Sequence, residues 1–198
     1  MSEKPFEIVI QPYSWTAFFT VCESIPYEAK GIFYSEMFLF LQACQQVATD
    51  IIIESGTYLG FSTQLLANAF QGPILTVDQH QKLVPEMHIW GNNVQAFQGD
   101  SFDAIPGLIT RLPELATVGI LIDGPKDEKA LELKDRCFEF PAVKVVGIHD
   151  IEPMPCQAAH SWDQNYRKSV GQKLDALIEH PYAQKYPKGP GLGIWIAE

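Results

Sequence analysis

Between residues 51 and 148, five short runs of Ile, Val and Leu alternate with stretches of helical spacing, and this rhythm limits the possible folds more than any other feature. The runs fall at 51–53, 74–77, 94–97, 118–122 and 143–148. They are short and mostly β-branched, which suits strands covered on both faces. The stretches 63–70, 83–91, 102–112 (crossed by Pro106) and 128–139 read as helices. Such alternation predicts a parallel sheet with right-handed crossovers and helices on both sides.

The flanks are less regular. Residues 1–34 are rich in aromatics (Phe6, Tyr13, Trp15, Phe18, Phe19, Tyr27), with a candidate strand at 8–10, and are expected to form an arm or lid ahead of the main fold. Residues 35–49 carry Met37, Phe38, Leu41, Cys44, Gln45 and Ala48 at helical spacing, with Ser35 as the expected N-cap. Residues 161–180 read as a further helix, and 191–197 as a last strand after the turn residues Lys188, Gly189 and Pro190. With 198 residues, 46% of them apolar, the chain suits one sizeable core, so 35–198 is expected to be a single domain.

The formal net charge is −10, and no Lys/Arg cluster offsets it. Phosphate backbones and anionic lipid surfaces are therefore poor partners. No apolar run approaches the roughly 20 residues a membrane span needs, and the first residues lack the pattern of a secretory signal. Cys22, Cys44, Cys137 and Cys156 are scattered, without a zinc or disulfide spacing, so a reduced, cytoplasmic protein is expected.

The sharpest local signal follows the first core strand. Residues 50–63 read D-I-I-I-E-S-G-T-Y-L-G-F-S-T, so an apolar strand ends in Glu54, a turn carries Gly56, Thr57 and Gly60, and a helix opens near Ser62 and Thr63. The glycines allow positive φ or a close backbone approach. The helix start offers N–H groups, and its hydroxyls add donors for a carboxylate. The spacing E-x-G-x-x-x-G-x-S differs from the G-x-G-x-x-G of pyrophosphate-binding folds. A purely structural turn would use the same glycines. The second strand ends in Asp78, placed to accept ribose hydroxyls; an exposed strand-end Asp or a helix cap would carry the same residue. After the third strand, Asp100 and Ser101 suit either an adenine edge or a helix cap.

In these motifs and their order, residues 35–150 resemble class I S-adenosylmethionine-dependent methyltransferases. The chain is most similar to small-molecule O-methyltransferases and to the short methyltransferase group with an Ile-Asp-Gly motif, here Ile122-Asp123-Gly124. The resemblance implies a Rossmann-like, doubly wound, mostly parallel seven-stranded sheet with one antiparallel strand near the C-terminus. It implies S-adenosylmethionine as cofactor, held by Glu54, Gly56, Gly60, Ser62, Asp78 and Asp100/Ser101, with Thr57 in the same turn. The sixth strand is not obvious in the sequence.

The fourth strand ends in Asp123-Gly-Pro-Lys126 and the fifth in His149-Asp150. Neighbouring parallel strands lie ~4.8 Å apart, so these groups can converge. Two carboxylates and an imidazole would suit Mg2+ or another divalent cation, with Asp123, His149 and Asp150 as ligands. Catechol-type O-methyltransferases carry an Asp after strand four, a Lys three residues on as base, and an Asp-Asn pair after strand five. Asp123 and Lys126 match that spacing, while His149-Asp150 departs from it. The expected reaction is direct methyl displacement onto an oxygen of a small-molecule acceptor, with Asp123, Lys126 and His149 catalytic. Lys126 is the expected base and His149 its rival; a solvated helix start would also explain Lys126. His160, Trp162, Tyr166 and Arg167 are candidates for the acceptor pocket. Two other readings stay open on the same scaffold: non-methyl-transfer (hydroxylase-like) chemistry, or a non-catalytic cofactor-binding protein. Nucleic-acid methylation is disfavoured by the charge and by the absence of an Asn/Asp-Pro-Pro-Tyr motif. A homodimer is compatible with the sequence.

Overall fold

The computed structural model describes residues 12–25, 31–80, 91–126, 128–150 and 192–197. Two helices, α1 (Pro12–Ser24) and α2 (Tyr34–Gln46), precede the sheet. There follow β1 (Ile51–Ser55), α3 (Phe61–Ala69), β2 (Ile74–Asp78), β3 (Val94–Gln98), α4 (Ser101–Ile109), β4 (Val118–Ile122), α5 (Glu128–Phe138), β5 (Val143–His149) and β6 (Leu192–Ile196). The sheet order is β3-β2-β1-β4-β5-β6. Strands β1 to β5 run parallel, and β6 returns antiparallel to β5.

The described residues therefore hold six strands of the expected Rossmann-like sheet rather than seven. Residues 151–191, where the sequence shows no obvious sixth strand and a helix is expected at 161–180, lie outside the described residues, as do the candidate strand at 8–10 and almost all of the helix expected at 83–91. Helix α4 runs through Pro106 without interruption.

Side chains on a strand alternate between faces, and this assigns the two cores. Ile52, Ile74, Leu121, Val145 and Ile194 face α1, α2 and α3. Ile53, Leu75, Val77, Ile120, Val146 and Ile148 face α4 and α5. The segment expected to be a separate arm contributes to the first core, since Phe18, Cys22, Ile25 and Ile32 are all buried there. Helix α1 packs on α2 and α3, and these two cover the sheet face beneath.

The start of α2 also differs from expectation. Its N-cap is Phe33, not Ser35, and the Glu36 carboxylate accepts the Phe33 N–H at 3.0 Å. Two glycines let this helix lie close to the sheet. A Cβ on Gly147 would sit 2.8 Å from the Phe40 ring, and one on Gly119 would sit 2.9 Å from Cys44 Sγ. Close approach of this kind is what glycine inside a strand permits.

The strand order reverses between β1 and β4, which opens a crevice beyond the carboxyl ends of these strands. Register brings Ser55 beside Val77 on one side and beside Ile122 on the other, and Ile122 beside Ile148. The residues that follow these positions, Gly56, Asp78, Asp123 and His149, thus gather at one edge.

Candidate active site

The turn leaving β1 is built around Glu54, but not as a ligand-facing acid. Glu54 shares the face of Ile52, so its side chain enters the α3 side of the sheet and is fully buried. Its Oε2 accepts the hydroxyls of Thr63 at 2.5 Å and Thr76 at 2.6 Å, while Oε1 has no hydrogen bond of good geometry. Burial pushes the carboxyl up to about 7, against the pull of the Ser62, Thr63 and Thr76 hydroxyls. Thr57 Oγ1 lies 2.5 Å from Thr76 Oγ1 and extends the same network. Glu54 therefore braces the turn from behind.

Gly56 has φ 94° and Gly60 has φ 81°, the left-handed conformations that the turn requires. A Cβ on Gly56 would meet Gly124 N at 2.8 Å, so the close approach is to the end of β4. Gly60 serves as the N-cap of α3. Asp78 ties this turn to β2: Oδ2 accepts the Tyr58 N–H at 2.8 Å and Oδ1 accepts the His80 N–H at 2.7 Å.

Asp100 caps α4, accepting the Phe102 N–H at 2.8 Å, and also accepts Gln79 Nε2 at 2.8 Å. Ser101 Oγ is 2.6 Å from Ser55 Oγ, which also hydrogen-bonds the Gly124 carbonyl. Ser55 N-terminal to the turn thus links β1, β4 and α4, a role not read from the sequence.

Asp123, Lys126, His149 and Asp150 converge as expected. Asp123 Oδ1 is 2.6 Å from Lys126 Nζ and 2.6 Å from His149 Nδ1. Lys126 Nζ is also 2.8 Å from Asp150 Oδ2. Behind His149 stands a residue that sequence reasoning passed over: Glu36 of α2, whose Oε2 lies 3.2 Å from His149 Nε2. His149 and Glu36 are both buried. Burial opposes a charged imidazole, but Asp123 and Glu36 outweigh it and raise His149 to about 10. Burial would also raise Asp123, yet His149 and Lys126 hold it below its ordinary value. For Lys126, burial is outweighed by Asp123 and then Asp150, so its pKa rises. The facing carboxylates thus favour the cationic form of both expected bases, the form without a lone pair to take a proton.

Glu36 left a trace in the sequence. It lies at i relative to Phe40 (i+4) and Ala43 (i+7), both fully buried, so the helical wheel puts a carboxylate on the core face. A buried acid calls for a buried partner.

Two hollows share Gly56, Asp78 and Gly124. One, about 420 Å³, adds Thr57, Ser62, Asp123, Lys126 and Asp150. The other, about 370 Å³, adds His80, Asp100, Ser101 and Phe102. Of the expected cofactor residues, Glu54 and Gly60 line neither. A larger cavity of about 710 Å³ lies at the opposite end of β1, and among the described residues Asp50 is the one charged side chain that lines it. His160, Trp162, Tyr166 and Arg167 lie outside the described residues.

A divalent cation was the other expectation for this cluster. Asp123, His149 and Asp150 do bring ligand atoms within 4.8 Å of one another. As arranged, however, the set does not fit a metal. The gap between the two carboxylates is bridged by Lys126 Nζ. His149 Nδ1 is hydrogen-bonded to Asp123 Oδ1, the oxygen that Lys126 also holds, while Nε2 lies 3.2 Å from Glu36 without a hydrogen bond of good geometry.

No protein-family model matches the chain, and no curated protein is found similar in sequence. Solved structures are similar in fold. The O-methyltransferase TomG of Streptomyces achromogenes, involved in tomaymycin synthesis and in complex with S-adenosylmethionine, superposes with a TM-score of 0.56 at 14% identity, over 96% of this chain and 92% of that one. The S-adenosylhomocysteine-bound methyltransferase PaMTH1 of Podospora anserina gives 0.53 at 14% identity, over 95% and 89%. The Bacillus cereus O-methyltransferase in complex with S-adenosylhomocysteine gives 0.50 at 18% identity, over 73% and 70%. Strand order, crevice and these likenesses together establish the fold as that of the class I S-adenosylmethionine-dependent methyltransferases.

Proposed function

We propose that this protein transfers a methyl group from S-adenosylmethionine to an oxygen of a small-molecule acceptor. The observation that carries the reading is that one hollow is lined both by the Gly56–Ser62 turn with Asp78 and by Asp123, Lys126 and Asp150. A nucleoside and a reacting group can thus share one cleft. Asp78 accepts one backbone N–H on each oxygen, which leaves a lone pair on each for the two ribose hydroxyls. The second hollow, bounded by Asp100, Ser101 and Phe102, suits the flat adenine. The amino-acid end of the cofactor falls to the turn, with Thr57 and Ser62. The complexes named for TomG and PaMTH1 support the same choice of cofactor.

In the transfer, the acceptor hydroxyl releases its proton to solvent, because Lys126 and His149 already carry theirs. Its oxygen lone pair attacks the sulfonium methyl in line. The C–O bond forms as the C–S bond breaks, the bonding pair stays on sulfur, and S-adenosylhomocysteine leaves as a neutral thioether. Positioning supplies much of the rate. An acidic oxygen acid, such as a phenol or enol, suits a site without a free base.

Thermal-shift titration with S-adenosylmethionine and S-adenosylhomocysteine tests this. Both should raise the melting temperature with concentration, and Asp78→Ala should remove most of the rise. No shift with either nucleoside would overturn the reading.

A further inference from the structure

We propose that the Lys126 ammonium is this site's built-in cation: it bridges Asp123 and Asp150 where a divalent metal would otherwise sit, and presents its remaining N–H to the acceptor oxygen. This deepens the methyl-transfer reading and rests on it for the acceptor.

The geometry carries the argument. Nζ lies 2.6 Å from Asp123 Oδ1 and 2.8 Å from Asp150 Oδ2, so one ammonium satisfies the facing oxygens of two carboxylates on neighbouring strand ends. Mg2+ would need those oxygens at roughly 2.0–2.1 Å and near-octahedral company. An ion and the ammonium cannot share the gap. The third candidate ligand is also committed. His149 Nδ1 is 2.6 Å from Asp123 Oδ1, so turning that nitrogen to an ion would break its hydrogen bond to Asp123, and Nε2 faces Glu36 at 3.2 Å on the side away from Lys126.

Lys126 is suited to the role. An ammonium has three N–H donors, and two are directed at the carboxylates. Its side chain is 39% exposed, and it lines the same hollow as Gly56, Ser62 and Asp78. A donor there meets an oxyanion and balances its charge as a metal would, with no ion to recruit. Asp150, at φ 60°, ends β5 in a left-handed conformation that Asp tolerates, and its carboxylate meets Lys126 across the strand ends.

The test uses the full chain after chelator treatment and reads Mn2+ binding by the loss of the free-ion paramagnetic resonance signal. Wild type, Lys126→Met, Lys126→Gln and Lys126→Arg are compared. Wild type and Lys126→Arg should leave Mn2+ free up to about 1 mM, while the two neutral variants, with the gap opened, should bind it at least about tenfold more tightly. S-adenosylhomocysteine-induced stabilisation, measured on the same samples, reports folding and the cofactor site independently. Its loss in wild type would count against the methyl-transfer reading and leave the cation result interpretable. Tight Mn2+ binding by wild type, or equal binding by wild type and both neutral variants, would overturn the proposal.

Discussion

At the scale of single residues, the site is organised by charges that would be unstable alone. His149 sits between Asp123 and Glu36 with almost no solvent contact. Removing one partner of such a buried group typically costs about 3–5 kcal/mol. Glu36→Gln should therefore lower stability by that order in denaturant unfolding and bring the His149 titration, followed by NMR, down from about 10 towards its ordinary value. An unchanged His149 titration would mean that Glu36 is a bystander.

Glu54 and His149 also set how stability varies with pH. The folded chain holds a proton on Glu54 up to about 7 against an ordinary 4.5, so this stabilisation is complete below the unfolded value and is lost as pH rises through about 7. His149 behaves the same way at higher pH: its contribution is complete below 6.5 and lost as pH rises through about 10. The melting temperature should thus fall in two stages from pH 5 to pH 10. Glu54→Gln should flatten the first stage, worth about 3 kcal/mol, and leave the second. A melting curve of Glu54→Gln that kept the wild-type slope between pH 5 and 7 would assign that stage to other groups.

At the scale of elements, α2 is placed by glycine. Gly147 and Gly119 leave room on the sheet for Phe40 and Cys44, and with the helix that close, Glu36 reaches His149. Gly147→Ala should push the Phe40 ring, cost about 1–3 kcal/mol of stability as overpacking does, and weaken the Glu36–His149 pair. Phe40→Leu in the same background should recover part of the loss. If Gly147→Ala melts like wild type, the helix is not seated by this contact.

This is also where legibility in the sequence divides. The runs of β1, β2, β4 and β5 announced their strands because burial on both faces writes itself into almost every residue, whereas β3, half-buried and with Val94 as its one β-branched residue, showed itself only through Val94, Ala96 and Phe97. The terminal strand announced itself through its own apolar run after a Gly-Pro turn. Asp78, Asp123 and His149-Asp150 were legible as polar residues ending apolar strands. Ser55 was not, and Glu36 showed only as a carboxylate on the core face of its helix, since their partners lie far along the chain and pair only after the sheet has formed. Glu54 was read as facing the ligand, but strand alternation turns it the other way, towards Thr63 and Thr76. Lys126 is legible as a candidate base from its spacing after Asp123 and His149 from its residue type, whereas the carboxylates that raise both pKa values come together only in the folded chain.

At the scale of the molecule, the crevice lies where the two halves of the sheet diverge, and its walls come from β1, β2, β4 and β5 at once. A ligand spanning it stabilises the folded state by mass action, about 2.7 kcal/mol at a hundredfold excess over Kd. With S-adenosylhomocysteine bound, amide exchange should slow most at the turn 56–60 and around 78–80 and 100–102. Protection confined to the α1–α2 end would instead place the nucleoside in the larger cavity lined by Phe18 and Phe70.

The meeting of Gly56 with Gly124 has a further effect on whatever the crevice holds. Main chain approaches main chain there, with no side chain between, and both glycines line both hollows. A guest that occupies both hollows therefore meets bare backbone at their shared border. Any methyl grafted onto Gly56 would press on the Gly124 nitrogen and push the end of β4 away, moving a wall that both hollows share.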